Sequence, residues 1–203
     1  MRRHPSWQVI VFARAPALGA GKRRLARDIG DVAALRFERQ MLAQVLRRLG
    51  RDRRWRLEVA VTPDRARFRR RLWPRGVPVA GQGKGDLGAR MRRALDACPP
   101  GPAVLVGTDI PALAANHIAD AFRRLGNHDL VFGPAADGGF WLVGARRSPC
   151  LPPLFGQVRW SSRYALDDVL ANLPARISVG FAATLADVDD GVAYRRLAPQ
   201  RGF

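Results

Sequence analysis

Four segments of the chain carry residue types able to act on an anionic substrate. In the first, residues 14–25 (RAPALGAGKRRL), glycines let backbone N–H groups approach an anion, while Arg14, Lys22 and Arg24 can neutralise it and hydrogen-bond its oxygens. Phosphate is the expected ligand, and a solvated Gly/Arg turn is the plain alternative. The segment is not a P-loop, because Pro16 stands where that motif has its first glycine and Arg23 where it has a magnesium-binding Ser or Thr. In the second, Gly83-Lys84-Gly85-Asp86-Leu87-Gly88 has the letters of a dinucleotide fingerprint but follows a later, short strand. It reads either as a glycine-rich wall of a nucleotide pocket or as a turn before a helix.

The third segment, Gly107-Thr108-Asp109-Ile110-Pro111, puts a carboxylate at the carboxyl end of an apolar strand. A hard oxygen donor there could hold Mg²⁺ or Mn²⁺ against substrate phosphates, with waters completing the octahedron. Asp109 could equally cap a helix that starts at Pro111. Near the C-terminus, Asp187-Val188-Asp189-Asp190 gathers carboxylates in a chain poor in them, and offers a second ligand or a solvated acidic turn. In the fourth segment, residues 133–141, Asp137-Gly138-Gly139 lets a substrate approach the backbone closely, with Asp137 as general base or hydroxyl anchor. A hairpin turn is the competing reading. His4, His117 and His128 form no triad-like pattern with Ser or Cys, which argues against covalent hydrolysis.

These segments need strands and helices to hold them. Trp7–Ala13 reads as a buried first strand, and Asp31–Leu49 as an amphipathic helix with Asp31 at its start and Gly50 at its end. Strands are predicted at Arg56–Val61, Gly76–Ala80, Ala103–Val106, Asp129–Phe132, Phe140–Val143 and Arg176–Val179, and helices at Asp64–Leu72, Leu87–Ala97, Ala112–Leu125 and Arg163–Leu173. This alternation predicts an α/β fold: one domain over residues 1–203, with a mostly parallel sheet and helices on both faces. Ligands of such sheets sit at the carboxyl ends of the strands, where the four segments fall. The Pro-rich stretch Ser148–Pro153 reads as an excursion within the domain.

Composition narrows the function. At 203 residues, 47% hydrophobic and 26% charged, the chain can build one substantial core. The formal charge of +18 favours anionic partners, but the arginines are spread along the chain without zinc-finger spacing, RNP-type aromatics or a helix-turn-helix pattern. Nucleic acid is therefore not the expected substrate, although a polyanion-binding protein is a non-enzymatic alternative. No apolar run near the N-terminus is long enough for a signal segment or membrane span. Cys98 and Cys150 suggest two ordinary thiols and a cytoplasmic location.

Taken together, the segments resemble a family of GT-A-fold glycosyltransferases in the nucleotide-diphospho-sugar transferase superfamily, often encoded near radical-SAM proteins. Its pattern Pro-x-x-Gly-x-x-Lys-Thr-Arg-Leu is met by Pro16, Gly19, Lys22, Arg24 and Leu25, and Gly-Asp-Leu-Gly-x-Arg-Met by Gly85–Met91. Further matches are residues 107–111, Gly133-Pro134-Ala135, Asp137-Gly138-Gly139, Leu142-Val143-Gly144, Trp160-Ser161-Ser162 and Asp187-Val188-Asp189. The resemblance implies a metal-dependent transferase acting on a nucleotide-activated small molecule. Arg14, Pro16, Gly19, Lys22, Arg24 and Gly85 would bind the nucleotide and its phosphates, with Lys22 also catalytic. Asp109 and Asp189, helped by Asp187, would hold Mg²⁺ or Mn²⁺, and Asp137, Gly138 and Gly139 would face the acceptor or sugar. The superfamily also includes nucleotidylyltransferases with a similar Gly-x-x-Lys-x-Arg loop, so nucleotidyl transfer is the enzymatic alternative. The chain departs from the family pattern at Arg23 (Thr), Ala136 (Glu) and Asp190-Gly191 (Thr-Pro).

Overall fold

The computed structural model describes residues 7–147 and 150–197. His4, and Ser148 and Pro149 of the Pro-rich stretch, lie outside the described residues. Seven strands form one sheet: β1 (Trp7–Arg14), β2 (Trp55–Thr62), β3 (Val79–Gly81), β4 (Ala103–Val106), β5 (Leu130–Pro134), β6 (Phe140–Ala145) and β7 (Val179–Phe181). Their order is β3-β2-β1-β4-β6-β5-β7, and β6 alone runs antiparallel to the rest. The expected mostly parallel α/β sheet is the observed one. β6 reverses because it returns from β5 as a hairpin and inserts beside β4.

Strand alternation sends side chains to two apolar layers. Val9, Val11 and Ala13 of β1 pack under α2 (Asp31–Gly50) and α4 (Ala115–Leu125), against Leu42, Val45, Ile118 and Phe122. Ile10 and Phe12 lie on the other face, with Met91 and Leu95 of α3 (Leu87–Ala97) and Val169 of α5 (Ala165–Ala171). Burial on both faces explains why β1 and β4 read as continuous apolar runs. Among the described residues no helix is long and apolar enough to cross a membrane.

Several boundaries differ from the sequence expectation, each for a local reason. The segment predicted as a helix over 64–72 is a single 3-10 turn, Asp64–Phe68, because Asp64 is drawn toward Gly83, whose N–H it accepts at 3.1 Å. α4 starts at Ala115 rather than Ala112, since residues 110–113 close a turn through Leu113 N–H to Ile110 C=O at 3.1 Å. Asp109 therefore caps no helix. The last strand lies at 179–181 instead of 176–179, residues 174–177 being used by a turn. Two short helices were not anticipated: α1 (Arg23–Ile29), which makes Arg24 and Leu25 helical, and α6 (Gly191–Leu197). Both are only seven residues long, and they form because Leu25, Phe37, Met41 and Val188 bury a small third core between them and α2.

Candidate active site

Lys22 is the structural centre of the cleft. It is the cap residue of α1, its backbone N–H donates to Glu38 Oε1 at 2.9 Å, and its side chain is only 7% exposed. Gly21 is required beside it, since a Cβ there would lie within 1.7 Å of the Glu38 carboxylate. The ammonium lies between two carboxylates that are each about half exposed, 3.0 Å from Asp109 Oδ2 and 2.7 Å from Asp189 Oδ1. Burial alone lowers the Lys22 pKa, but the charges and hydrogen bonds of Asp109 and Asp189 outweigh it and leave the pKa raised.

Backbone and helix contacts force this meeting. Val188 N–H donates to Asp109 C=O at 3.2 Å, tying the segment after β7 to the loop after β4. Arg48 of α2 donates to the carbonyls of Pro111 and Leu113, both at 2.8 Å, which pins the other side of that loop. Asp190 caps α6 by accepting the Ala193 N–H at 2.8 Å, and Gly191 N–H donates to Asp28 of α1 at 2.7 Å. The departure from the family pattern at Asp190-Gly191 thus serves to close α6 against α1. Glu38, Arg48 and Asp28 escaped the sequence reading because nothing in their spacing links them to residues 16–28, 109–113 or 189–191.

Two cavities meet at this ion pair. One, about 660 Å³, lies toward β1, β2 and β3 and is lined by Arg14, Pro16, Thr62, Gln82, Arg90 and Thr108. The other, about 570 Å³, lies toward β4 and β6 and includes Arg24, Asp137, Gly139, Trp160 and Asp187. Phe12, Lys22, Arg23, Leu87, Gly107, Asp109, Ser161 and Asp189 line both. Gln82, missed in the sequence, is 2% exposed; its side-chain N–H group donates to Ala13 C=O and Ala60 C=O at 3.0 Å and its Oε1 accepts from Arg90 at 3.1 Å. It stitches the ends of β1 and β2 to α3.

The other expected site residues divide between the cleft and its supports. Asp137 lines the second cavity in the β5–β6 turn, and its Oδ1 accepts the Gly139 N–H at 2.9 Å, leaving the second oxygen unused by that turn. Gly138, at φ +86°, has no room for a Cβ, which would sit 2.1 Å from Arg163 C=O. Asp187 carries a raised pKa, chiefly from burial and then from the charges of Asp189 and Asp137. Gly19 borders a separate surface depression with α1 and α2, and Gly85 lines neither cleft cavity. Gly85 (φ +108°) belongs to the turn into α3, where Asp86 accepts the Ala89 N–H at 2.7 Å.

The donor set fits a hard divalent cation, because two carboxylates already converge on one positive charge at hydrogen-bond distance. Among the described residues no group of three or more His, Cys, Asp or Glu is placed to hold an ion, so substrate oxygens and water would complete the sphere.

A family model described as "Uncharacterized protein conserved in bacteria (DUF2064)" matches residues 45–162, more than half of the chain. The chain belongs to the DUF2064 family. No curated protein matches it in sequence. Among solved structures, it superposes on a candidate nucleotide-diphospho-sugar transferase from Desulfovibrio desulfuricans G20 with a TM-score of 0.80 and 27% identity, covering 95% of this chain and 87% of that one. Rv0371c from Mycobacterium tuberculosis H37Rv, solved in complex with manganese, aligns at a TM-score of 0.58 and 20% identity over 97% of this chain and all (100%) of that one. A 4-diphosphocytidyl-2C-methyl-D-erythritol synthase from Anaerococcus prevotii DSM 20548 gives 0.63 and 8% over 96% of each chain. This DUF2064 chain therefore has the nucleotide-diphospho-sugar transferase fold, as its motifs implied.

Proposed function

We propose that the protein is a divalent-metal-dependent transferase, a single GT-A-like domain over residues 1–203, that moves a sugar from a nucleotide-diphosphate donor to a small acceptor. The observation that carries this reading is the junction: two cavities of substrate size share one buried lysine flanked by two carboxylates. The polar cavity toward β1–β3 suits the nucleotide, with Arg14 and Arg90 near its phosphates or base, and the second cavity suits the acceptor. Free thiols suit a cytoplasmic reaction.

Asp109 and Asp189 would hold Mg²⁺ or Mn²⁺, with Asp187 beside them, and the ion would supply Lewis-acid neutralisation of the departing diphosphate. Lys22 has the same carboxylates as partners, so on binding donor its ammonium turns from them toward the phosphate oxygens. Arg24 lines the same cavity and adds positive charge where negative charge develops. The unused Asp137 oxygen takes the proton of the acceptor hydroxyl. The manganese complex of Rv0371c, a protein of the same fold, supports the use of a divalent metal.

Nucleotidyl transfer is the second reading, favoured by the likeness of the fold to the diphosphocytidyl-methylerythritol synthase. Here the same loop would bind a triphosphate and pyrophosphate would leave. Incubating the protein with Mn²⁺ and either labelled NDP-sugar or labelled NTP plus sugar phosphate separates the two: NDP release supports the first and pyrophosphate release the second. If nucleotides neither bind nor react, and polyanions bind with steep salt dependence and no need of metal, both transferase readings fail.

A further inference from the structure

The transfer scheme leaves one end of the first cavity unassigned. Gln82 and Arg90 line that cavity alone, whereas Lys22, Asp109 and Asp189 line both, so this pair lies away from the junction at which the scheme gathers the phosphates. Arg90 is half-buried on α3, and its guanidinium is held by two neutral oxygens: Nε donates to Asp86 C=O at 3.2 Å and Nη1 to Gln82 Oε1 at 3.1 Å. The Asp86 carboxylate does not neutralise it, being used on the Ala89 N–H. Two of the five side-chain N–H groups are thus bonded, and the other three have no partner among the described residues. A half-buried cation with neutral partners keeps its charge and its spare donors for a group that enters the cavity.

Gln82 can hold Arg90 in one way only. It is 2% exposed, and its Nε2 donates to Ala13 C=O and Ala60 C=O, both at 3.0 Å. Turning the amide over would set its oxygen against two carbonyl oxygens and its NH₂ group against the guanidinium, with no hydrogen bond left among the three contacts. Its backbone is fixed as well, by Arg93 Nη1, which donates to Gln82 C=O at 2.7 Å. Both amide N–H groups are therefore taken by the strands, and Gln82 positions Arg90 rather than meeting a ligand itself. The guanidinium so placed offers a ligand donors and no acceptor. A base edge with two adjacent acceptors, guanine N7 and O6 or cytosine N3 and O2, meets it with two bonds. Adenine sets its amino group beside N1 and N7, and uracil sets its N3 hydrogen beside both carbonyls, so each is left with one.

We propose that the first cavity selects a guanine or cytosine nucleotide, with Arg90 binding the paired acceptors of the base. This selectivity rests on the transferase reading, which puts a nucleotide in that cavity. The test is calorimetric titration of the full-length protein in Mn²⁺ with GDP, CDP, ADP, UDP and pyrophosphate, repeated on Arg90→Met and Arg90→Lys. The expected result is that GDP or CDP binds about ten- to a hundredfold more tightly than ADP and UDP, as for a two-bond arginine–base contact, and the tighter of the two names the base. Arg90→Met should bring the favoured nucleotide down to the level of ADP and UDP and leave pyrophosphate unchanged. Arg90→Lys keeps the charge but not the fork, and should not restore the preference. Equal affinities for the four nucleotides in the wild type, tighter binding of ADP or UDP, or a preference that survives in either variant would each overturn the proposal. So would a loss of pyrophosphate binding in both variants at unchanged melting temperature, which would make Arg90 a phosphate ligand. Nucleotides bound without base preference remove the selectivity alone, whereas absence of any nucleotide binding removes the transferase reading and the selectivity with it.

Discussion

Two parts of the cleft are held by opposite means. Lys22, Asp109 and Asp189 meet through bonds that cross most of the chain, the Lys22–Asp189 contact joining residues 167 apart. Asp137 and Trp160 sit in turns closed by their own neighbours: Asp137 to Gly139 two residues on, and Ser162 to Arg159 three residues back. In the first region site chemistry and tertiary structure are one set of contacts. In the second, a side chain can change its chemistry while its turn stays closed. Substitutions should therefore couple activity to stability in the first region and separate them in the second.

The largest effect is expected at Asp109. Asp109→Asn keeps the shape but removes the charge that pairs with Lys22 and, on the proposed function, would hold the metal, and turnover should fall about a thousandfold, near the upper end of what one transition-state electrostatic contact contributes. Metal-dependent nucleotide binding, followed by calorimetry with and without Mn²⁺, should be lost with it; unchanged turnover in saturating Mn²⁺ would show that this carboxylate holds no catalytic ion. Asp137→Asn is the counterpart in the second region. The amide oxygen can still accept the Gly139 N–H, so the melting temperature should hold while turnover drops about 100-fold, the usual contribution of a general base. A fall in melting temperature with intact turnover would reverse that assignment and make Asp137 a turn residue.

Lys22→Ala probes the coupling itself. Removing the ammonium leaves two carboxylates facing each other, a loss of about 1–2 kcal/mol because both are half exposed, or roughly 2–8 °C in a chain of this size. Nucleotide binding should weaken as well. Since the lysine no longer competes for the two aspartates, added Mn²⁺ should raise the melting temperature of Lys22→Ala more than that of the wild type. Equal Mn²⁺ shifts in both proteins would mean that metal, if bound, is bound elsewhere.

The same contrast explains what the sequence disclosed. Turn chemistry is local, so the turns at Asp137-Gly138-Gly139 and before α3 and the amphipathic helix α2 were legible from spacing alone, as was the mostly parallel sheet implied by βα alternation. The junction was not: spacing left Asp109 balanced between ligand and cap, and only the resemblance joined it to Asp189. Its physical causes, the Val188–Asp109 backbone bond and the Arg48 clamp, link residues with no common period. The seven-residue helices α1 and α6 escaped for a related reason, being too short to carry a periodic signal and existing by packing on each other and on α2. At Gly85 the spacing left a pocket wall and a turn before a helix both open, and the glycine lies in the turn into α3.

The smallest effect belongs to the clamp under Trp160. Side-chain hydrogen bonds from Arg159, with a further one from its backbone N–H, hold the Asp168 carboxyl at about 2, below its ordinary value near 4. A carboxylate depressed in the folded state contributes stability that is fully present above the unfolded value and disappears as the pH falls through the folded one. The melting-temperature gap between wild type and Arg159→Ala should thus be constant above about pH 4 and close between about pH 4 and pH 2. The acid sensitivity of so basic a chain is common to both proteins and cancels in the difference. Because the guanidinium is solvent-exposed the gap should be small and should shrink in high salt. If the clamp serves only to hold the turn, Arg159→Ala should also broaden or shift the Trp160 indole signal while leaving the Lys22 junction, read by the Mn²⁺-dependent rise in melting temperature, untouched. A change in that rise would show the two regions to be coupled after all.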